Sequence, residues 1–215
     1  MKNHFVLFDL DGTITNSSEG IINSIQYALN KMGLHEDDKE KLRSYVGPSL
    51  KQTFLSNYFP NGDEYKEAIK HYRSYYAETG IFENKLYEGI VEVFKEIKKD
   101  GGHIALSTAK PTYFAKIILK YFNINDYFDV VVGSHLDGSR TDKKEIIYET
   151  LDQLGLPNTD NCFMIGDREY DIIGAKHHNL KTIGVRYGYA PKGELEACTP
   201  THIISNPSEI INVIR

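Results

Sequence analysis

Short apolar segments alternate with helical patterns along most of this 215-residue chain, and this alternation constrains the fold more than any other feature. Six segments have the length and apolar content of strands: 4–10, 103–107, 129–133, 162–165, 182–185 and 202–205. Five stretches have helical periodicity: 90–99, 112–122, 144–154, 170–177 and 207–213. Strands and helices that alternate in this way predict an α/β fold, a doubly wound parallel sheet of the Rossmann-like kind.

The alternation fails once, because residues 15–85 contain only helical patterns. Within them Ile21, Ile25 and Leu29 recur at the spacing of an amphipathic helix. We therefore expect residues 1–14 and 86–215 to form a core domain, and residues 15–85 to form an inserted, all-helical cap domain. The insert begins directly after the residues that look most reactive, so we expect it to act as a lid.

Composition and charge limit both the class of protein and the kinds of partner that this chain can have. The chain is 40% apolar and 26% charged, which is typical of a folded globular protein and excludes disordered or fibrous classes. Its net charge of −5 argues against a polynucleotide partner, although a local cationic pocket can still bind a small anion. We find no signal-like N-terminus and no apolar run near the ~20 residues of a membrane span, so we expect a cytoplasmic protein with no membrane partner.

The first strand segment leads into the sequence DLDGT, which places Asp9 and Asp11 two residues apart. In an extended chain both carboxylates point to one side and repel each other. A divalent cation would relieve that repulsion, since hard cations prefer carboxylate oxygens. The alternative interpretation is an ordinary strand-to-turn transition, where Asp and Gly are common.

A second acidic cluster, GDREYD, follows the segment 162–165 and contains Asp167 and Asp171. The carboxyl ends of strands in a doubly wound sheet share one edge, so Asp167 is expected to approach Asp9 although 158 positions separate them. Alternatively, Asp167 or Asp171 caps the helix that follows.

Two further residues lie at comparable places. Thr108 follows the segment 103–107 and could offer a hydroxyl to a phosphate at the start of a helix, or act as a plain N-cap. Lys143 lies in a first helical turn, where the helix dipole disfavours a cation. It is either a solvated lysine or one that reaches an anionic cluster.

The order of acid pair, hydroxyl, lysine and acid pair resembles the haloacid dehalogenase (HAD) superfamily of phosphohydrolases with a helical cap of the first type. The resemblance spans nearly the whole chain and is nearest to phosphoglycolate phosphatase-like and 5′-nucleotidase-like members. It implies the core-and-cap architecture predicted above. It also implies a small phosphorylated metabolite as the partner, with the protein a monomer or weak homodimer.

The resemblance also implies roles for individual residues. Asp9 would be the nucleophile that forms an aspartyl-phosphate, and Asp11 would be the general acid and base. Mg²⁺ would be held by the Asp9 carboxylate, the Asp11 backbone carbonyl and Asp167, with Asp171 orienting its water ligands. In the same scheme Thr108 would bind the transferring phosphoryl group, and Lys143 would neutralise charge on Asp9 and the phosphate.

Substrate choice is expected to lie in the cap and in loops that face it. The candidate residues are Arg43, Gly47, Ser49, Ala109, Lys110 and Arg140. Some positions depart from the family pattern: Asn16 stands where Asp is common, Ala109 where Asn or Ser is frequent, and Glu88 where Pro is common. No catalytic role is therefore assigned to Asn16.

The sequence thus predicts an Mg²⁺-dependent phosphatase of small phosphomonoesters, foremost a phosphoglycolate phosphatase-like enzyme. The alternatives are a 5′-nucleotidase acting on nucleoside monophosphates and, less favoured, a β-phosphoglucomutase-like phosphomutase. The acid at Asp11 argues against a dehalogenase or a cation-pumping ATPase. Two non-enzymatic alternatives stay open: a receiver-type domain phosphorylated on Asp, and an inactive binding protein.

Overall fold

The computed structural model describes residues 4–156 and 159–215. The chain divides into two compact units, which we call the core unit (Met1–Asn16 with Leu86–Arg215) and the helical unit (Ser17–Lys85). Residues 15–85, where the sequence shows only helical patterns, also contain the short strand Thr15–Asn16 and the first residue of the strand Lys85–Leu86.

The core unit contains a six-stranded parallel sheet. In chain order the strands are β1 (Phe5–Phe8), β2 (Thr15–Asn16), β3 (Lys85–Leu86), β4 (His103–Pro111), β5 (Val130–Ser134), β6 (Cys162–Gly166), β7 (Lys181–Val185) and β8 (His202–Ile204). The order across the large sheet is β5-β4-β1-β6-β7-β8, and β2 and β3 form a separate two-stranded sheet. The predicted α/β class with a doubly wound, Rossmann-like parallel sheet is confirmed.

The helices in chain order are α1 (Ser18–Lys31), α2 (Lys39–Ser44), α3 (Leu50–Asn57), α4 (Glu64–Tyr75), α5 (Ile90–Lys99), α6 (Thr112–Tyr121), α7 (Lys143–Gln153), α8 (Glu169–His177), α9 (Glu194–Ala197) and α10 (Ile210–Ile214). A π-helical turn covers Tyr76–Gly80, and 3-10 turns cover Asn125–Tyr127 and Pro207–Glu209. Within the described residues, no helix has the length and apolar content required to cross a bilayer.

Packing explains why the apolar patterns differ between the elements. In β1, at the centre of the sheet, Val6, Leu7 and Phe8 are all fully buried, as expected of a parallel strand covered on both faces. In α5, burial follows helical spacing and includes Ile90, Phe94 and other apolar residues of one face. The central strands therefore form a rigid base for the residues that follow them.

Candidate active site

The site begins where β1 and its neighbours end. In the parallel register Phe8 lies opposite Leu106 of β4 and Ile165 of β6. The backbone N–H of Asp9 donates to the carbonyl of Ile165 at 2.9 Å, which extends the β1–β6 pairing by one residue. Asp9 and the residues just after β6 therefore lie at one edge of the sheet, at a depth set by strand pairing.

Three carboxylates gather at this edge. Asp9, Asp167 and Asp171 each offer an oxygen, these oxygens lie within 4.8 Å of one another, and all three residues are buried. Burial raises the pKa of Asp9 to about 6, although Lys143 opposes the rise. Burial, together with the nearby charges of Asp171 and Asp9, raises the pKa of Asp167 well above its usual range. The cluster is thus an electrostatically costly arrangement that a bound cation would stabilise.

Lys143 supplies the positive charge of the cluster. Its Nζ lies 2.7 Å from Asp9 Oδ1 and 2.7 Å from Asp171 Oδ1, and donates to the carbonyl of Ser107 at 3.0 Å. Burial favours the neutral amine, but the two carboxylates outweigh it and hold the pKa of Lys143 above its ordinary value. These contacts account for a lysine in the first turn of α7, where the dipole alone would disfavour it. One ammonium facing three carboxylates leaves the cluster with an excess of acidic groups.

The two carboxylate oxygens of Asp171 make different contacts. Its Oδ2 accepts from the backbone N–H of Arg168 at 3.1 Å and so caps the start of α8, while its Oδ1 pairs with Lys143. A Cβ at Gly166 would lie 2.2 Å from Asp171 Cγ, so only glycine leaves room for this side chain. Asp171 therefore caps α8, as one interpretation of the second acidic cluster predicts, and it also lies close to Asp9 and Asp167.

Asp167 lies in a narrow cradle formed by two glycines and a backbone amide. The N–H of Tyr189 donates to Asp167 Oδ2 at 2.6 Å. A Cβ at Gly12, whose φ is +83°, would lie 2.1 Å from that oxygen, and one at Gly188 would lie 2.5 Å from it. Asp167 Oδ1 is buried without a hydrogen-bond partner among the described residues. The cradle thus fixes one oxygen and leaves the other for a ligand.

Sequence reasoning did not identify Gly188 or Tyr189 as part of the site. A usable signal was present, because the sequence RYGY directly follows the strand β7 at the same edge of the sheet. Strand ends at this edge carry ligand-binding residues in doubly wound folds, so the sequence after β7 indicates a contribution to the site.

Asp11 is paired with Lys110. Lys110 Nζ lies 2.8 Å from Asp11 Oδ2, and the two side chains are only 6% and 15% exposed. Asp11 Oδ1 is buried and has no hydrogen-bond partner among the described residues. The two oxygens of this carboxylate therefore lie in different environments.

Comparison with known proteins places this site in a family. The model of the haloacid dehalogenase-like hydrolases matches residues 6–185, which span every acidic and basic group described above. The chain belongs to this family. A 5′-nucleotidase of Pseudomonas aeruginosa is 39% identical over 98% of this chain and 95% of that protein. The tyrosine-protein kinase PtkA of Mycobacterium tuberculosis strain H37Rv is 33% identical over 95% of this chain and 69% of that protein.

A solved structure from Clostridium acetobutylicum, described as a predicted phosphatase, is 41% identical and superposes with a TM-score of 0.92. The superposition covers 100% of this chain and 99% of the chain in that structure. Together with the family match, these similarities show that the protein is a HAD-family phosphatase that acts on phosphoesters. The predicted superfamily and enzyme class are confirmed.

The hydroxyl expected to bind phosphate belongs to Thr108, which lies within β4, three residues before the strand ends. Thr108 is buried, and its Oγ1 accepts from the backbone N–H of Lys110 at 3.3 Å. The carbonyl of Ala109 accepts from Ser134 Oγ at 2.8 Å. These bonds lie in the last residues of β4, so the backbone between Thr108 and Lys110 has a fixed course.

The other candidate substrate residues have contacts within their own units. The guanidinium of Arg140 donates to the carbonyl of Gly133 at 2.8 Å and lies 3.7 Å from Glu149, so it is engaged within the core unit. Arg43 is an exposed residue of α2 in the helical unit.

Gly47 and Ser49 also belong to the helical unit. Gly47 has a φ of +113°, a conformation that favours glycine. Ser49 caps α3 by accepting from the N–H of Gln52 at 3.2 Å. Both residues therefore have a structural use in the turn before α3.

The donor set fits a magnesium ion. Carboxylate oxygens are the ligands that this hard cation prefers, and Asp9 and Asp167 supply them at short range. The partnerless Oδ1 of Asp167 and the crowding of Gly12 and Gly188 against Oδ2 indicate a carboxylate built to present one oxygen. Asp171, occupied by Lys143 and by the N-terminus of α8, is suited to a supporting place beside the ion.

Proposed function

We propose that this phosphatase hydrolyses small phosphomonoesters with Mg²⁺ as cofactor and with Asp9 as the group that receives the phosphoryl. The observation that carries the proposal is the buried Asp9 carboxylate at the end of β1, paired with Lys143 and close to Asp167 and Asp171. A carboxylate in that position is fixed in direction by strand pairing and can attack phosphorus in line with a departing alcohol.

Three side chains take different roles in the proposed reaction. Asp9 attacks phosphorus, the ester oxygen leaves, and an aspartyl-phosphate forms. Asp11, two residues further on, donates a proton to the departing alkoxide and then takes a proton from the water that attacks the aspartyl-phosphate. Lys143, held at 2.7 Å from Asp9, keeps positive charge beside the phosphoryl oxygens throughout.

The remaining groups bind rather than react. Asp9, the Asp11 backbone carbonyl and Asp167 would hold Mg²⁺, and Asp171 would orient its water ligands. When bound, the ion supplies positive charge that offsets the negative charge of the phosphoryl oxygens. Thr108 and the backbone N–H groups after it would bind the phosphoryl group that is transferred.

For the substrate we propose a nucleoside 5′-monophosphate. The support is the 5′-nucleotidase relative, which is 39% identical over nearly the full length of both chains. Phosphoglycolate, the first expectation from the sequence, is the main competitor. A phosphomutase is less favoured, and transfer of the phosphoryl back to a sugar instead of its release would reveal one.

The test is a phosphate-release screen over about 50 phosphometabolites at matched concentration, ranked by kcat/KM. We expect nucleoside 5′-monophosphates to rank first and activity to require Mg²⁺, with loss in EDTA and recovery on adding the ion back. Phosphoglycolate at the head of the ranking would overturn the proposed substrate but not the reaction.

Asp9→Asn tests the reaction itself. The amide is a poor nucleophile, so we expect kcat/KM to fall by more than about 1,000-fold for every substrate. Asp152→Asn is the matched control, because this exposed residue lies at the opposite end of α7 from Lys143, and it should keep full activity. Near-normal turnover in Asp9→Asn would refute a covalent intermediate on this residue.

A further inference from the structure

The ion pair between Lys110 and Asp11 is the feature of the site that the proposed reaction leaves unexplained. Both side chains are largely buried, and Lys110 Nζ lies 2.8 Å from Asp11 Oδ2. A lysine and an aspartate removed from water cost free energy unless each is well paired, so this contact is a built element of the site.

The backbone that carries Lys110 is rigidly placed. The pairing of β4 with β5 is regular as far as Thr108, changes register, and resumes where Pro111 pairs with Ser134. Lys110 lies in the irregular part of β4 between these two points. A Cβ on Gly133 would lie 2.2 Å from the carbonyl oxygen of Lys110, so only glycine lets β5 approach this closely. The N–H of Gly133 also donates to Thr112 Oγ1 at 2.9 Å. This hydrogen bond fixes the chain just after Lys110 against β5.

The consequence is an asymmetric carboxylate. Oδ2 of Asp11 is occupied by Lys110, whereas Oδ1 is buried and without a hydrogen-bond partner among the described residues. A buried carboxylate oxygen normally has a partner, so a group from outside the chain is expected at Oδ1. In the proposed reaction the groups that must meet Asp11 are the leaving-group oxygen and the attacking water.

We infer that Lys110 is a positioning residue: by holding Oδ2 of Asp11, it presents Oδ1 to the leaving-group oxygen as the atom that transfers the proton. The proton passes from Oδ1 to the alkoxide as the ester P–O bond breaks, and Asp11 is left as the carboxylate paired with Lys110. This inference rests on the proposed function, because it assigns the atom through which Asp11 acts.

The leaving group provides a test that separates this role from direct phosphate binding. An alkyl phosphate releases a strongly basic alkoxide that needs a proton, whereas p-nitrophenyl phosphate releases a stable phenolate that does not. In Lys110→Met we expect kcat/KM for an alkyl phosphate to fall at least about ten-fold more than kcat/KM for p-nitrophenyl phosphate. Lys116→Met, on the exposed face of α6, is the control and should leave both values unchanged.

Two further variants keep the test decisive. Lys110→Arg retains the charge and should recover part of the alkyl phosphate activity. If Lys110 acts through Asp11, adding Lys110→Met to Asp11→Asn should not change the ratio of the two kcat/KM values any further. Folding of each variant is verified by near-ultraviolet circular dichroism.

Equal losses for both substrates in Lys110→Met would overturn the inference and show contact with the phosphoryl group itself. Unchanged values for both would overturn it as well. Neither result affects the proposed function, which Asp9→Asn tests separately.

Discussion

At the scale of single residues, the position of Asp167 depends on the absence of two side chains. Gly12 and Gly188 lie against its carboxylate, and a Cβ at Gly188 would be 2.3 Å from Asp167 Cβ. Gly188→Ala should therefore displace the carboxylate and weaken Mg²⁺ binding by at least about ten-fold, measured by titration calorimetry and by the Mg²⁺ dependence of phosphate release.

The matched control for that substitution is Gly62→Ala. There the three atoms nearest to a Cβ would all belong to the carboxylate end of the exposed Glu64 side chain, which can move away. It should leave Mg²⁺ affinity and activity unchanged. Normal Mg²⁺ affinity in Gly188→Ala would show that the cradle around Asp167 is not needed to hold the ion.

In the acidic cluster, removing one carboxylate should stabilise the metal-free fold and at the same time abolish Mg²⁺ binding. Burial and neighbouring carboxylates raise the pKa of Asp167, so its ionised form is destabilising when no cation is bound. Asp167→Asn removes that charge and should raise the Tm of the EDTA-treated protein by at least about 2 °C, while abolishing the increase in Tm that Mg²⁺ gives the wild type. A lower Tm in EDTA, with the Mg²⁺ effect intact, would contradict the assignment of Asp167 as a ligand.

At the scale of secondary-structure elements, Asp129 joins α5, β4 and β5. Asp129 lies directly before β5. Its carboxylate accepts from Lys98 Nζ of α5 at 2.7 Å and from the backbone N–H of Ile104 of β4 at 2.9 Å. Partial burial raises the pKa of Asp129, but these two donors outweigh it and hold the pKa below its usual value. The ionised form is thus favoured by folding.

A lowered pKa in the folded state means that Asp129 stabilises the fold above its unfolded pKa, and that this contribution is lost as pH falls through the folded value. Asp129→Asn should lower the free energy of unfolding by about 1 kcal/mol at pH 7, since the site is partly exposed. In urea denaturation at pH 3 the difference between variant and wild type should shrink towards zero. An equal difference at both pH values would mean that the charge is not responsible.

The elements also show how far the sequence could predict the site. The carboxyl ends of parallel strands share one edge of the sheet, so the approach of Asp167 to Asp9 could be predicted from the apolar pattern of the two strands. The place of Lys143 in a first helical turn left two interpretations open, a solvated lysine or one that reaches an anionic cluster, and the structure places its Nζ 2.7 Å from both Asp9 and Asp171. Their chemical roles remain proposals.

Other features could not be predicted, because they depend on three-dimensional contacts that no local pattern encodes. The strand β4 continues to Pro111, four residues past its predicted end, because Gly133 and Ser134 of β5 pin the extension. The pairing of Lys110 with Asp11 follows from that extension. The place of Gly188 against Asp167 depends in turn on the path of the loop after β7.

At the scale of the whole molecule, every candidate ligand of the ion comes from the core unit, although the chain between Asn16 and Leu86 forms a separate unit. Adding Mg²⁺ to the EDTA-treated protein should therefore slow amide hydrogen exchange in residues 9–12, 166–171 and 187–189, while exchange in α1 and α4 stays the same. Mass spectrometry of peptides measures both. Slower exchange confined to residues 17–85 would place the ion elsewhere.

In the proposed reaction Asp9 carries the phosphoryl group during turnover. The most direct measurement is rapid acid quenching of the enzyme with Mg²⁺ and substrate during steady turnover, followed by peptide mapping by mass spectrometry. We predict one phosphoryl group on the peptide that contains Asp9, formed at least as fast as phosphate is released and absent from Asp9→Asn. Phosphate release with no phosphoryl on Asp9, or a phosphoryl on another residue of the wild type, would contradict the account.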